Sequence, residues 1–291
     1  MDGPCLKEVD MSSGGQQQSN NTHSEISHEH GVAPKPLAEV GGFQITNSLA
    51  TSWAVVLLIL VFSIAIRLKI SKVPGKLQGA FETLIEKFLE LFDTVTGSRG
   101  KSVKFFPFIF AFFVYILLNN WMGIIPGVGS IGGIAEHGGD KAFVPFLRGG
   151  TADLNTTLSL AIIGVVASHI FGVLALGAWH HLNKFINIKA ILSIPRQIKK
   201  DPTVLIINPI QVFVGFIEII GELAKVASLS FRLFGNIFAG EVLLAAMSAI
   251  LAFGLPLPFL ILEIFVGLIQ ALIFAILVLS YLSVHTMEEE H

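Results

Sequence analysis

The sequence predicts an all-α integral membrane protein with about five long hydrophobic segments plus one interfacial amphipathic helix, the last two segments forming a long tilted hairpin. Three observations lead there. Of 291 residues, 53% are hydrophobic and only 14% charged, against about 25% charged in soluble domains. Phe outnumbers Tyr 24 to 2, and the mean hydropathy is +0.72. Apolar runs of about 20 residues, long enough to cross a hydrocarbon core as helix, recur along the chain. Lipid is the expected solvent. The net charge of −2 gives no nucleic-acid signal, and the single Cys5 supplies neither a disulfide framework nor a cysteine metal site.

Residues 1–45 read as a polar, disordered tail, rich in Gln, Ser, Asn and His, that cannot bury enough apolar surface to fold alone. The tail lacks the basic start and short apolar core of a signal peptide, so it is expected to be retained. His28 and His30 have metal-ligand chemistry, but a solvated tail is the simpler reading, and no metal or cofactor is expected. Residues 46–291 form the polytopic membrane domain.

The first span is Leu49 to Leu68. After it, "GKLQGAFETLIEKFLELFDTVTG" repeats apolar residues at helical spacing (Phe81, Leu84, Phe88, Leu91, Phe92, Val95), with acids and Lys87 elsewhere. This is an amphipathic helix, lying at the interface or packed on the bundle. Phe105 to Ile125 and Leu158 to Leu182 give the second and third spans. The fourth segment, Val204 to Phe253, would be roughly 75 Å long as one helix. A bilayer core of about 30 Å forces it to tilt or bend. "GLPLP" reads as the hairpin turn into the fifth segment, Pro258 to His285.

Lys and Arg counts set the orientation. Arg67 to Lys104 carries eight and Lys184 to Lys200 five, whereas Pro126 to Asp153 carries only Lys141 and Arg148. The basic segments are expected in the cytoplasm, with the N-terminus outside and the C-terminus cytoplasmic.

The fourth segment carries a polar seam. Glu218, Glu222, Lys225, Arg232 and Asn236 follow one another at spacings of four, three, seven and four. At about 100° per residue all stay within roughly 40° of Glu218. Glu241 is turned roughly 140° away, toward the following segment. Glu222 and Lys225 can form a structural ion pair at helical contact distance. Arg232 is different, because its nearest acid on the same face, Glu222, is ten residues away. An arginine at bilayer depth costs roughly 3 kcal/mol on insertion scales. Its counter-charge must come from another helix or another protein, and a carboxylate on a partner is the expectation.

"SLSFRLFGNIFAGE", followed by "LIQALIFAILVLSYLS" and a short acidic tail, closely resembles subunit a of the rotary F-type ATP synthases, their membrane-embedded ion-channel subunit. "LLNNWMGIIPG" and "TADLNTTLSLA" are also similar to that family's pattern, so the resemblance runs from about Leu49 to the C-terminus. It implies a proton- or sodium-translocating stator subunit that is not catalytic by itself. The implied partners are the c-subunit ring, peripheral-stalk b subunits, other ATP synthase subunits and membrane lipid, in a bacterial plasma membrane. By motif, Arg232 matches the family's ion-relay gate, and Asn236 and Gln270 its polar neighbours. Glu241 and Glu263 match the pair lining the outer access channel, and Glu218 an acid of the inner one. Many members carry histidine where Glu263 stands, so the pH dependence of this path is expected to differ. His169, His180 and His181 do not replace that histidine by motif and read as helix-end or packing residues.

The physics of the seam agrees with this implication. A fixed cation between two half-channels favours the ionised form of a partner carboxylate and repels a cation crossing directly. Guanidinium suits the role because it stays charged in proteins, whereas a buried lysine can lose its proton. The alternative is an ion-coupled secondary transporter, but the polar stripe occurs once and no internal repeat accompanies it. An intramembrane hydrolase using Ser228 or Ser230 lacks a Gly-x-Ser-x-Gly context.

Overall fold

A computed structural model describes residues 36–40, 42–70, 75–125, 132–137, 140–179, 204–251 and 254–287. The tail histidines, His180, His181 and the Lys184–Lys200 segment lie outside the described residues. The architecture is all-α, with five helices long and apolar enough to cross a membrane.

A two-stranded antiparallel hairpin, β1 (Pro36–Val40) and β2 (Phe43–Thr46), leads into α1 (Asn47–Lys69). The polar composition expected of residues 1–45 did not announce these strands. The Thr46 side chain caps α1 by accepting from the Leu49 N–H at 3.3 Å. The burial pattern of α1 is inverted relative to a soluble helix: Asn47, Ser48, Thr51 and Ser52 are buried, while Leu57, Val61 and Phe62 are exposed. Apolar side chains face outward where lipid replaces water as the solvent, and polar ones turn inward to find partners.

Helix α2 (Lys76–Thr96) is the amphipathic element. It packs on the bundle: Phe88 lies against Phe113 and Phe110 of α3, with ring centroids 4.8 Å and 5.3 Å apart. Gly97 ends it in the left-handed conformation (φ 67°), its N–H returning to the Asp93 carbonyl. That turn feeds α3 (Arg99–Ile124), whose Arg99 reaches back to Asp93 at 2.8 Å and also to Glu86. The Ser102 hydroxyl, and after it Arg99, hold the Asp93 carboxyl below its ordinary range.

A second hairpin, β3 (Gly132–His137) and β4 (Asp140–Pro145), interrupts the α3–α4 connection, followed by a 3-10 turn at Gly150–Ala152. Asp153 caps α4 (Leu154–Leu176) by accepting from Asn155 N–H at 2.9 Å. Helix α5 (Val204–Ile250) is continuous over 47 residues, about 70 Å of helix. Gly254, with φ 95°, makes the turn into α6 (Pro256–His285). The core forms where α3 and α6 pack together and α2, α4 and α5 close around them, with Phe105, Ile109, Leu233, Phe274 and Leu279 buried.

Candidate ion path

Helix α5 separates its faces as the 3.6-residue period dictates. Leu229, Leu233 and Ile237 are buried against the core. Ser228, Phe231, Arg232, Gly235, Asn236 and Ala239 are exposed along the other side. Small residues flank the arginine, and a Cβ added at Gly235 would meet nothing within 4 Å. Arg232 Nη2 donates to Ser228 Oγ at 3.4 Å, one turn back. Among the described residues it makes no ion pair.

One turn beyond Arg232, Asn236 Nδ2 donates to Gln270 Oε1 on α6 at 2.8 Å. Gln270 is buried, and its Nε2 has no hydrogen-bond partner among the described residues. The bond thus joins the exposed face of α5 to the interior. Helix α6 is set against α3 by side chains that seek its backbone. Asn120 Nδ2 donates to Gly267 O at 2.9 Å and Trp121 Nε1 to Ile264 O at 3.2 Å. The glycine permits that approach, since a Cβ at position 267 would press on Asn120 Cβ at 3.2 Å. Thr151 Oγ1 donates to Asn120 Oδ1 at 2.6 Å, so the two segments "LLNNWMGIIPG" and "TADLNTTLSLA" meet in space.

Glu263 is buried, and its carboxylate occupies the space that a Cβ on Gly240 would take. Glu241, the next residue of α5, turns toward the loop before α4. Arg148 Nε and Nη2 each lie 3.1 Å from its Oε2. The Arg148 backbone N–H donates to Thr51 Oγ1 at 3.1 Å, anchoring this cation to α1. Glu241 is close enough to act on Glu263 electrostatically. Ser48 Oγ, Ser52 Oγ, Asn119 Oδ1 and Glu263 Oε1 are buried without hydrogen-bond partners among the described residues. Unpaired polar atoms cost about 1–3 kcal/mol each when dry, and ordered water is the usual partner for such a lining.

On the other side of Arg232, Lys225 Nζ pairs with Glu222 Oε1 at 2.6 Å and lies 5.0 Å over the Tyr281 ring. His169 of α4 and His285 of α6 also reach Glu222, at 3.4 Å and 3.3 Å. His169 is therefore no helix-end or packing residue: the crossing of α4 over α5 turns its ring onto a carboxylate. Glu218 is half-buried one turn before Glu222. The structure gathers Asn236 with Gln270, Glu241 with Glu263, and Glu222 with Lys225, and leaves Arg232 on the outer face between them.

Sequence reasoning passed over Arg148, Asn119, Asn120, His169 and His285 as site residues. The paired asparagines inside an apolar span were a usable signal, because polar side chains at that depth need partners. Arg148 gave none, since a loop cation is ordinary until its contact is known.

A family model described as "ATP synthase A chain" matches residues 49–283. The chain is 32% identical over 253 residues to an ATP synthase subunit a of Syntrophobacter fumaroxidans, covering 87% of this chain and 89% of that one. It is 30% identical over 262 residues to one from Geotalea daltonii, covering 90% and 95%. A relative from Geobacter sulfurreducens is 29% identical over 260 residues, covering 89% and 94%. With a family match across three of the five candidate spans and most of the other two, this chain belongs to the family of subunit a of the F-type ATP synthase.

Proposed function

We propose that Arg232 is the gate between two aqueous half-channels that carry protons, or sodium ions, to and from a c-subunit ring. The family makes the chain an ion-translocating, non-catalytic, multi-pass membrane subunit that works with other ATP synthase subunits. That assignment replaces the secondary-transporter alternative. The observation that carries the gate reading is the position of Arg232 on an exposed, small-residue face of α5, with only Ser228 in hydrogen-bonding contact among the described residues. A cation kept at such cost, with no acid of its own, is suited to a carboxylate presented by a partner. Glycine and alanine beside it would let a partner helix approach closely.

In this reading, ions enter from the side of the N-terminus past Arg148, Glu241 and Glu263. The buried polar atoms of Ser52 and Asn119 favour a hydrated path there. Gln270 and Asn236 lead from Glu263 to the face of α5 beside Arg232. The partner carboxylate would lose its ion near the guanidinium, which favours the charged acid. Ions leave toward the cytoplasm past Glu222 and Glu218. The basic segments set the same orientation, in a bacterial plasma membrane, with peripheral-stalk b subunits holding the chain as stator.

The test is ATP synthesis in inverted vesicles. Arg232→Ala should abolish synthesis while native gels show normal assembly. Arg232→Lys should also fail, because an ammonium can lose its proton and lacks the planar fork. Near-normal synthesis in the assembled alanine variant sinks the gate assignment.

A further inference from the structure

Three helices bring His169, Glu222 and His285 to one point. One candidate ligand atom from each, a ring nitrogen or a carboxylate oxygen, lies within 4.8 Å of the others, and both Nε2 atoms come within 3.4 Å of the carboxylate. The imidazole rings stand with centroids 4.6 Å apart, and the His285 side chain is only 2% exposed. Lys225 holds Glu222 Oε1, while Oε2, with His169 Nε2 3.4 Å away, is buried with no hydrogen bond among the described residues.

Ser168 fixes the tautomer of His285. Its single hydroxyl proton goes to the Val165 carbonyl at 2.7 Å, since a carbonyl can only accept. The 3.0 Å contact between Ser168 Oγ and His285 Nδ1 therefore needs Nδ1–H as donor. Its Nε2 then faces Glu222 Oε1 at 3.3 Å, the oxygen that Lys225 also holds. An Nδ1–H held by a neighbour fixes the ring's tautomer and orientation and leaves the Nε2 lone pair for a metal ion.

We propose that His169, Glu222 and His285 form a binding site for a divalent transition-metal ion of the zinc type. Two imidazole nitrogens and one carboxylate oxygen are the mixed donor set zinc accepts, with a fourth position left for water. Magnesium and calcium prefer all-oxygen shells. The ion takes Glu222 Oε2, and Lys225 stays on Oε1, where its charge weakens the site and keeps binding reversible. Occupancy ties α4, α5 and α6 together. Its effect on transport rests on the proposed function, which puts Glu222 on the exit path; the binding itself does not.

The assembled complex, stripped with a chelator and re-equilibrated with micromolar zinc, can be desalted and its bound zinc read by mass spectrometry. Other sites in the complex also bind zinc, so the difference between variants is the measurement. His169→Gln and His285→Gln should each lose about one zinc ion per chain, and both together no more than that. Ser168→Ala should weaken binding by about tenfold. Equal zinc in the parent and in assembled histidine variants overturns the proposal. Should those variants fail to assemble, cobalt titration of the parent decides: no tetrahedral cobalt absorption means no such site. Zinc added from the His285 side should slow pumping in the parent but not in His285→Gln. Binding without that inhibition leaves the site standing and removes it from the ion path.

Discussion

The Glu263 carboxylate of α6 rests on the bare backbone of Gly240 in α5, in the volume a Cβ would occupy. Gly240 is thus the floor beneath a buried acid, and Glu241 next to it is held by Arg148. Gly240→Ala should push the carboxylate off its seat and reduce ATP synthesis at least as far as Glu263→Gln does. Combining Gly240→Ala with Glu263→Ser gives the volume back and should recover assembly on native gels. Wild-type synthesis in Gly240→Ala would show that the close approach does not matter.

Arg148 and Glu241 are both largely buried, with side-chain exposures of 13% and 17%. Arg148→Gln leaves a carboxylate without its cation and should cost about 3 kcal/mol in stability. Adding Glu241→Gln removes the stranded charge and should restore about 1–3 kcal/mol as a coupling term. Thermal unfolding of the purified complexes measures the cycle. Additive losses would mean that the pair does not act as a unit.

Glu218 and Glu241 lie on opposite sides of Arg232 along α5, about 21 Å and 14 Å of helix away. Glu218→Gln should alter the response of transport to cytoplasmic pH, and Glu241→Gln the response to outside pH. Reconstituted vesicles titrated on one side at a time separate the two. An unchanged cytoplasmic profile in an assembled Glu218→Gln variant removes Glu218 from the path.

Asp93 joins α2 to α3 outside the spans, and the Ser102 hydroxyl, then Arg99, lower its pKa from the ordinary 3.8. A carboxyl depressed in the folded state stabilises it above the ordinary value. That contribution is lost as pH falls through the lowered one. The α2–α3 hairpin should therefore loosen in that acid window. Asp93→Asn should be less stable at neutral pH, and its stability should be flatter below about pH 4. Proteolysis of the α2–α3 turn across this range reads the difference, and parallel curves for the two proteins would contradict it.

The spans were legible because lipid imposes a length and a composition on each of them, so α1, α3 and α6 appear where apolar runs stand. The period of α2 showed its apolar stripe, and only packing against Phe113 decided between membrane surface and bundle. The strand pairs were not legible, being short and poor in the alternation that marks a strand.

Within α5, spacing alone put Glu218, Glu222, Lys225, Arg232 and Asn236 on one face and turned Glu241 away, because helical geometry fixes relations between residues of the same helix. Which residue of another element answers each of them is a different kind of fact. Arg148 lies 93 residues from Glu241, and Asn236 34 from Gln270. Those pairings depend on how the helices cross, and the crossings depend on contacts such as Asn120 against Gly267. Residue order and spacing sufficed to specify a membrane protein with one costly arginine on a polar seam. The helix crossings were needed to establish that Arg148 answers Glu241, that Gly240 seats Glu263, and that two histidines close on Glu222, because a periodic pattern encodes direction around a helix axis but not the neighbour met there.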